Sequence, residues 1–395
     1  MTKKLLSKWP YFSGDEITAA SNVLQSGNVN YWTGSETKNF EKEFSRYTLS
    51  PFSLAVANGS LALSASYLAA GLKPGDEVIT TPRTFIATAS SLVLLQVIPI
   101  FADVDRDSGC INAKTIEPLI TSKTKAISVV HVSGWPADMD SICDLASSRG
   151  LTVIEDCAQA HGAAIFSDNQ WRSVGSFGHL AAWSFCQDKI LTTGGEGGMV
   201  TTSDPSYWQI MWSLKEHGKS YQAVSESTQV QGFRWLHHRF GSNFRMTEMQ
   251  SAIGRVQLTK LNQWNDKRAA NVKIIVEALS GCSLLRLPVP STKYRHGWYK
   301  FHAYLNHDAL CSGWSRDRIL SEISSLGYPG LSGSCSEIYL EKCFRDAGLS
   351  PQHRLPVARE LGESSILFLV HPTITIDQME LYVSAVHSVL KRALK

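Results

Sequence analysis

The chain has 395 residues, 43% apolar, 18% charged and 10% aromatic, enough for two or three domains with a large core and too little charge for extended disorder. Its 38 Lys and Arg against 35 Asp and Glu leave +3, and because the signs are interspersed no basic block tracks a phosphate backbone, which disfavours a nucleic-acid partner. No stretch reaches the roughly 18 apolar residues of a membrane span, since the run Leu92–Leu95 stops at Gln96, so a soluble protein with no membrane partner is expected.

In chain order, residues 1–10 carry basic residues but lack the apolar core of an export signal. A helix is predicted over 36–47, with Phe40, Phe44 and Tyr47 on one face. From residue 53 short β-rich runs alternate with helical stretches: Ser53–Ala57, Glu77–Thr80, Val97–Phe101, Ala126–His131, Leu151–Ile154, Ala181–Phe185 and Gly198–Thr202. This alternation predicts an α/β fold, a mostly parallel sheet with helices on both faces. A second helix is predicted over 60–71, entered through Asn58-Gly59-Ser60. A third runs from Thr247 to about Ser280, in one piece or more, and leads out of the sheet. The domain join is placed within it, giving a large α/β domain over 1–255 and a smaller α+β domain over 256–395 that closes on an amphipathic helix near 376–394. Eight scattered cysteines form no Cys-x-x-Cys pair, so no metal site is expected and free thiols in a reducing cytoplasm are.

Three segments carry chemistry. In Ser184-Phe-Cys-Gln-Asp-Lys189-Ile-Leu-Thr-Thr-Gly-Gly-Glu-Gly-Gly198 a lysine follows a buried strand and precedes a glycine-rich turn, a place for a desolvated amine to form a Schiff base. Taken alone, a loop lysine is more often a solvated charge. Asp156, in Ile154-Glu-Asp-Cys-Ala-Gln-Ala-His-Gly162, closes a parallel strand, where ligands of open α/β sheets bind and where an acid can hold a pyridinium nitrogen protonated. It is equally a residue type that caps helices. Gly59 and Ser60 open a helix after a strand, an anion site suited to phosphate or an ordinary turn. Phosphate cradle, acid and lysine in this order on one domain are far more specific than any of them alone.

These motifs resemble the DegT/DnrJ/EryC1/StrS sugar aminotransferases, pyridoxal-phosphate enzymes of the aspartate aminotransferase fold (fold type I). The resemblance extends from Ser26-Gly27 and Thr33-Gly34 through Gly75-Asp-Glu-Val78, Thr84-Phe-Ile-Ala-Thr88 and Val130-His131 to Gly241-Ser-Asn243-Phe-Arg245. It implies that Lys189 bonds the cofactor and shuttles the proton, that Asp156 pairs with the pyridine nitrogen, and that Phe85 stacks on the ring with Ala158 behind it. It further implies that Gln159 lies near the 3-hydroxyl, that Gly59, Ser60 and Ser184 hold the phosphate, and that Asn243 reaches the neighbouring subunit's cofactor phosphate, hence a homodimer with shared sites. Tyr31, Trp32, His217, His237 and His238 are substrate candidates beside these motifs, with core packing or ordinary surface histidines as the alternatives. Arg245 serves an anion or, more simply, an interface ion pair. Cys186-Gln187-Asp188 departs from the family's usual residues before the lysine, and Trp135, Trp183, Trp212 and Trp235 add an unusual tryptophan content; both bear on substrate identity. A dehydratase branch replaces the lysine with histidine, so Lys189 favours transamination. The implied reaction moves an amino group from L-glutamate to a keto sugar on a nucleotide, in making an amino sugar for a surface polysaccharide or natural product. The alternatives are a non-nucleotide keto sugar, such as a keto-octulosonate or keto-inositol, and a non-catalytic regulatory relic of the fold.

Overall fold

The computed structural model describes residues 6–226 and 234–395. Its strands are β1 (Phe52–Val56), β2 (Glu77–Thr80), β3 (Ile98–Phe101), β4 (Thr124–Val130), β5 (Thr152–Asp156), β6 (Ala164–Ser167), β7 (Gln170–Ser173), β8 (Leu180–Ser184), β9 (Gly198–Thr202), β10 (Leu285–Arg286), β11 (Tyr294–Arg295), β12 (Phe301–Leu305) and β13 (Ser365–Phe368). The seven runs predicted from sequence form one sheet in the order β1-β9-β8-β5-β4-β2-β3. From β8 to β3 the pairs are parallel, whereas β9 runs antiparallel to both β8 and β1. The reversal follows from the link: residues 185–197 return the chain without a crossover helix, which an antiparallel neighbour permits and a parallel one does not.

Alternation along each strand fills both faces. Ala55, Ile79, Ile127, Val153, Ala181 and Met199 join Phe40, Phe44 and Trp183 in one core, while Leu54, Val56, Val78, Ile154, Ala182 and Val200 meet Tyr67 and Trp212 in another. A sheet covered on both sides reads as continuous apolar runs, and these runs are the pattern that made it visible in the sequence.

Helix Glu248–Leu279 is a single piece. Thr247 and Gln250 close its start as a reciprocal cap. Gly254 sits where a Cβ would stand 2.7 Å from Phe40 Cζ, so glycine serves close packing there and does not break the helix. Leu261 belongs to the core of the large sheet, and Val272, Ile275 and Leu279 to a further core with β12, β13, helix Arg316–Ser325 and helix Ile376–Ala393. A second sheet, β10-β12-β13, backs that core, and β11 adds to the hairpin β6-β7. No helix among the described residues is long and apolar enough to cross a membrane.

Candidate active site

The carboxyl ends of β1, β5 and β8 open on one cavity of about 940 Å³, lined by Gly59, Ser60, Phe85, Thr88, Asp156, Ala158, Gln159, Ser184 and Lys189. Every cofactor residue expected from sequence except Asn243 lies on this wall. At one end, helix Gly59–Ala69 begins. Asn58 Oδ1 accepts the Leu61 N–H at 2.9 Å, so the first helix amides remain to face the cavity, where the helix dipole favours an anion. A Cβ on Gly59 would stand 2.6 Å from Ser184 Cβ; only glycine lets the helix start meet the end of β8.

At the other end, Asp156 is 4% exposed. Thr88 Oγ1 donates to its Oδ2 at 2.8 Å and the Ala158 N–H to its Oδ1 at 3.1 Å. Burial pushes its pKa up, against the pull of these two hydrogen bonds and of the Lys189 charge. Gln159 Oε1 accepts the Ser133 N–H at 2.7 Å, with Ser133 held in the left-handed region at φ 55°. Because that oxygen is taken, the Gln159 amide NH2 is the end left for a ligand. Phe85 is 67% exposed, a bare aromatic face at the mouth.

Lys189 lies in the β8–β9 loop, its Nζ 5.0 Å from the centre of the Tyr299 ring. The Tyr299 hydroxyl donates to Asp188, and the Trp9 indole N–H donates to the Lys189 carbonyl at 2.9 Å. Tyr299, Ser334, Cys335, Ile338 and Glu341 complete the wall from the C-terminal part of the chain. Sequence reasoning missed these five and Thr88's contact with Asp156. Thr88 stood inside a quoted motif, but no local pattern marks a residue whose partner is 68 positions away.

Asn243 and the five substrate candidates lie off this wall and gather instead around the turn Lys215–Lys219. Asn243 bridges Glu216 and His237 bridges Lys219. The N–H of His217 donates to Ser242 O at 3.0 Å and that of His238 to Gly218 O at 2.9 Å. Trp32 Nε1 donates to Glu216 Oε2 at 3.1 Å, and Tyr31 is buried with Lys215 Nζ 3.5 Å from its ring centre. Arg245 pairs with Glu216 at 2.7 Å, an ion pair within the chain. Buried Lys215 lies 3.6 Å from both Glu41 and Glu216; burial lowers its pKa while the two carboxylates raise it.

Among the described residues, His131, Glu155 and Cys157 bring metal-ligand atoms within 4.8 Å of one another. The lone pairs of His131 and Glu155 are committed. His131 Nδ1 accepts the Ala137 N–H at 3.0 Å, so its Nε2 carries the proton shared with Glu155 at 3.0 Å. Glu155 also accepts the N–H groups of Gly175, Phe177 and Gly178, a buttress under the sheet.

The family model described as the DegT/DnrJ/EryC1/StrS aminotransferase family matches residues 10–387. The chain belongs to this family. The aminotransferase shares 50% identity with an aminotransferase from Psychrobacter cryohalolentis, at TM-score 0.95 over 98% of this chain and 99% of that one. It shares 29% identity with DesV from S. venezuelae, at TM-score 0.84 over 96% and 95% of the two chains. An uncharacterised protein of Methanocaldococcus jannaschii is 30% identical over 381 residues, 96% of each chain. The aminotransferase is thus a pyridoxal-phosphate enzyme of fold type I acting on sugars. Its cavity fits that cofactor: Gly59 and Ser184 form a cradle that a Cβ would fill, and a buried acid and a lysine share the remaining wall.

Proposed function

We propose that the aminotransferase moves an amino group from L-glutamate to the keto group of a nucleotide-linked deoxy sugar, in making an amino sugar for a surface polysaccharide or natural product. The observation that carries this reading is the convergence of Lys189, Asp156 and the Gly59–Ser184 cradle on one cavity. Bound pyridoxal phosphate supplies an electron sink for the carbon that loses its proton. Gly59, Ser60 and Ser184 would hold its phosphate, Phe85 and Ala158 would flank its ring, the Gln159 amide would donate toward its 3-hydroxyl, and Asp156 would keep its ring nitrogen protonated. Lys189 would bond the cofactor at rest and, once released, its Nζ would serve as the base that takes the proton from the donor's α-carbon and as the acid that delivers one to the sugar carbon.

In this reading the enzyme is a cytoplasmic homodimer. Asn243, with Tyr31, Trp32, His217, His237 and His238 beside it, serves the partner subunit's cofactor and sugar. The chain divides into its two parts within helix Glu248–Leu279. Support comes from the gathering of those six residues on one patch away from their own chain's cavity.

The test supplies 15N-labelled L-glutamate with matched pairs of nucleotide-linked and free keto sugars. Label should enter nucleotide-linked products, and Lys189→Ala should lower transfer by about 10³-fold or more. Label confined to free sugars would replace the acceptor, and transfer that survives Lys189→Ala would remove the lysine from the reaction.

A further inference from the structure

Asp156 is a carboxylate in a place that favours the neutral acid. It is almost wholly buried, and its pKa is raised by that burial. A neutral Asp156 cannot keep a ring nitrogen protonated, so something must hold its charge. The groups able to act on it are the side chains of Lys189, His131, Tyr67 and Cys157 and the hydroxyl of Thr88. His131 is committed to Glu155, Lys189 is committed to the cofactor at rest, and Tyr67 and Cys157, if ionised, would only add negative charge. Thr88 is the one side chain that hydrogen-bonds to the carboxylate among the described residues.

The direction of that bond is fixed by its surroundings. Thr88 Oγ1 lies 2.8 Å from Asp156 Oδ2, 2.9 Å from Thr84 Oγ1 and 3.4 Å from the Phe85 carbonyl. An ionised carboxylate only accepts, so the single Thr88 proton points at Asp156 and the Thr88 oxygen accepts from Thr84. The backbone of Thr88 is pinned as well. Its carbonyl accepts from the Tyr67 hydroxyl at 2.9 Å, and because a carbonyl cannot donate, Ser128 Oγ supplies the proton to Tyr67 across 2.9 Å. All four residues are buried. Ser128 and Tyr67 thus anchor Thr88, while Thr84, by donating to the Thr88 oxygen, supports the orientation in which the Thr88 proton faces Asp156.

We propose that Thr88 is a positioning residue for the reaction: oriented by Thr84 and anchored through Tyr67, its hydroxyl holds Asp156 ionised and aimed at the cofactor's ring nitrogen. The inference rests on the role proposed above for Asp156. Chains of hydroxyl groups polarise one another, so the Thr84 link strengthens the bond Thr88 gives.

The test is a 13C titration of the Asp156 carboxyl in the full chain free of cofactor, its signal assigned by its loss in Asp156→Asn. Thr88→Val keeps the shape and removes the hydroxyl; it should raise the midpoint by about 1 to 2 pH units. Thr88→Ser should titrate as the wild type. Thr84→Val should give a smaller rise and carries the test by itself if Thr88→Val does not fold. In the loaded enzyme, Thr88→Val should lower kcat with KM little changed, and serine should restore it. An unmoved midpoint in the valine variants, or a serine variant shifted as far as valine, overturns the proposal. Near-normal transfer by Asp156→Asn would instead overturn the role of Asp156 itself, and the two failures are read in different variants.

Discussion

At the scale of single residues, the lysine depends on neighbours that arrive from far along the chain. Tyr299 donates to Asp188, the residue just before Lys189, and presents its ring to the Lys189 amine. Tyr299→Phe keeps the ring and loses the tether, at a cost of about 1 kcal/mol or less to folding because Asp188 is exposed to solvent. Turnover should fall by roughly tenfold, as expected when a reacting group is less well held, while thermal unfolding moves by only a few degrees. Steady-state kinetics beside a melting curve check both; equal losses in the two would make the tether merely structural. Lys189, Asp156 and the Gly59-Ser60 pair were legible in the sequence because each stands in a local motif at a strand end. Tyr299 and Glu341 were not, because cavity walls assembled from distant segments leave no spacing to read.

At the scale of elements, a close approach of helix to strand makes the cradle. The start of helix Gly59–Ala69 rests against the end of β8, and the 2.6 Å that a Gly59 Cβ would leave to Ser184 Cβ cannot be held. Gly59→Ala must push the two apart, a strain of about 1 to 3 kcal/mol. Cofactor affinity, followed by fluorescence as apoenzyme is reloaded, should weaken by roughly 10-fold or more, whereas unchanged affinity would separate the cradle from the cofactor. The seven strands of the main sheet were visible as apolar runs. The hairpin β6-β7 is mostly exposed and polar on its second strand, and β10 and β11 are two residues each, too short for any alternation to register. The antiparallel sense of β9 was hidden too, since strand direction is decided by the length and course of a connection and not by the residues of the strand.

At the scale of the whole molecule, neutral histidines are built into both halves. Burial lowers His161 to about 3, with the Lys189 charge adding to the effect, and lowers His371 to about 3; it takes His296 and His302 well below their ordinary value. In the unfolded chain such rings take up protons below about pH 6.5. The unfolded state therefore binds more protons than the native one between about pH 6.5 and 3, and stability present above that window is lost as pH falls through it. His161 and His371 each contribute a slope that approaches about 1.4 kcal/mol per pH unit in the middle of that window. Urea midpoints taken from pH 7 to 4 should drop steeply. His161→Phe, which keeps a ring between Trp183 and Phe185, should flatten the fall, and an unchanged slope would take His161 out of the account.

Residues 7 and 8 are tied to residues 373–378 near the start of the closing helix. Ser7 Oγ donates to Gln378, Thr373 Oγ1 donates to the Lys8 carbonyl, and Trp9 in turn holds the Lys189 carbonyl. On the ribosome, residues 7–9 emerge before 373–378 and must wait for them to find these partners. A nascent chain that has already made its whole main sheet still lacks this clamp on its catalytic loop. The lysine loop therefore gains this second hold only once residues 373–378 are in place, and a product that stops short of them keeps the Tyr299 tether but lacks the clamp through Trp9.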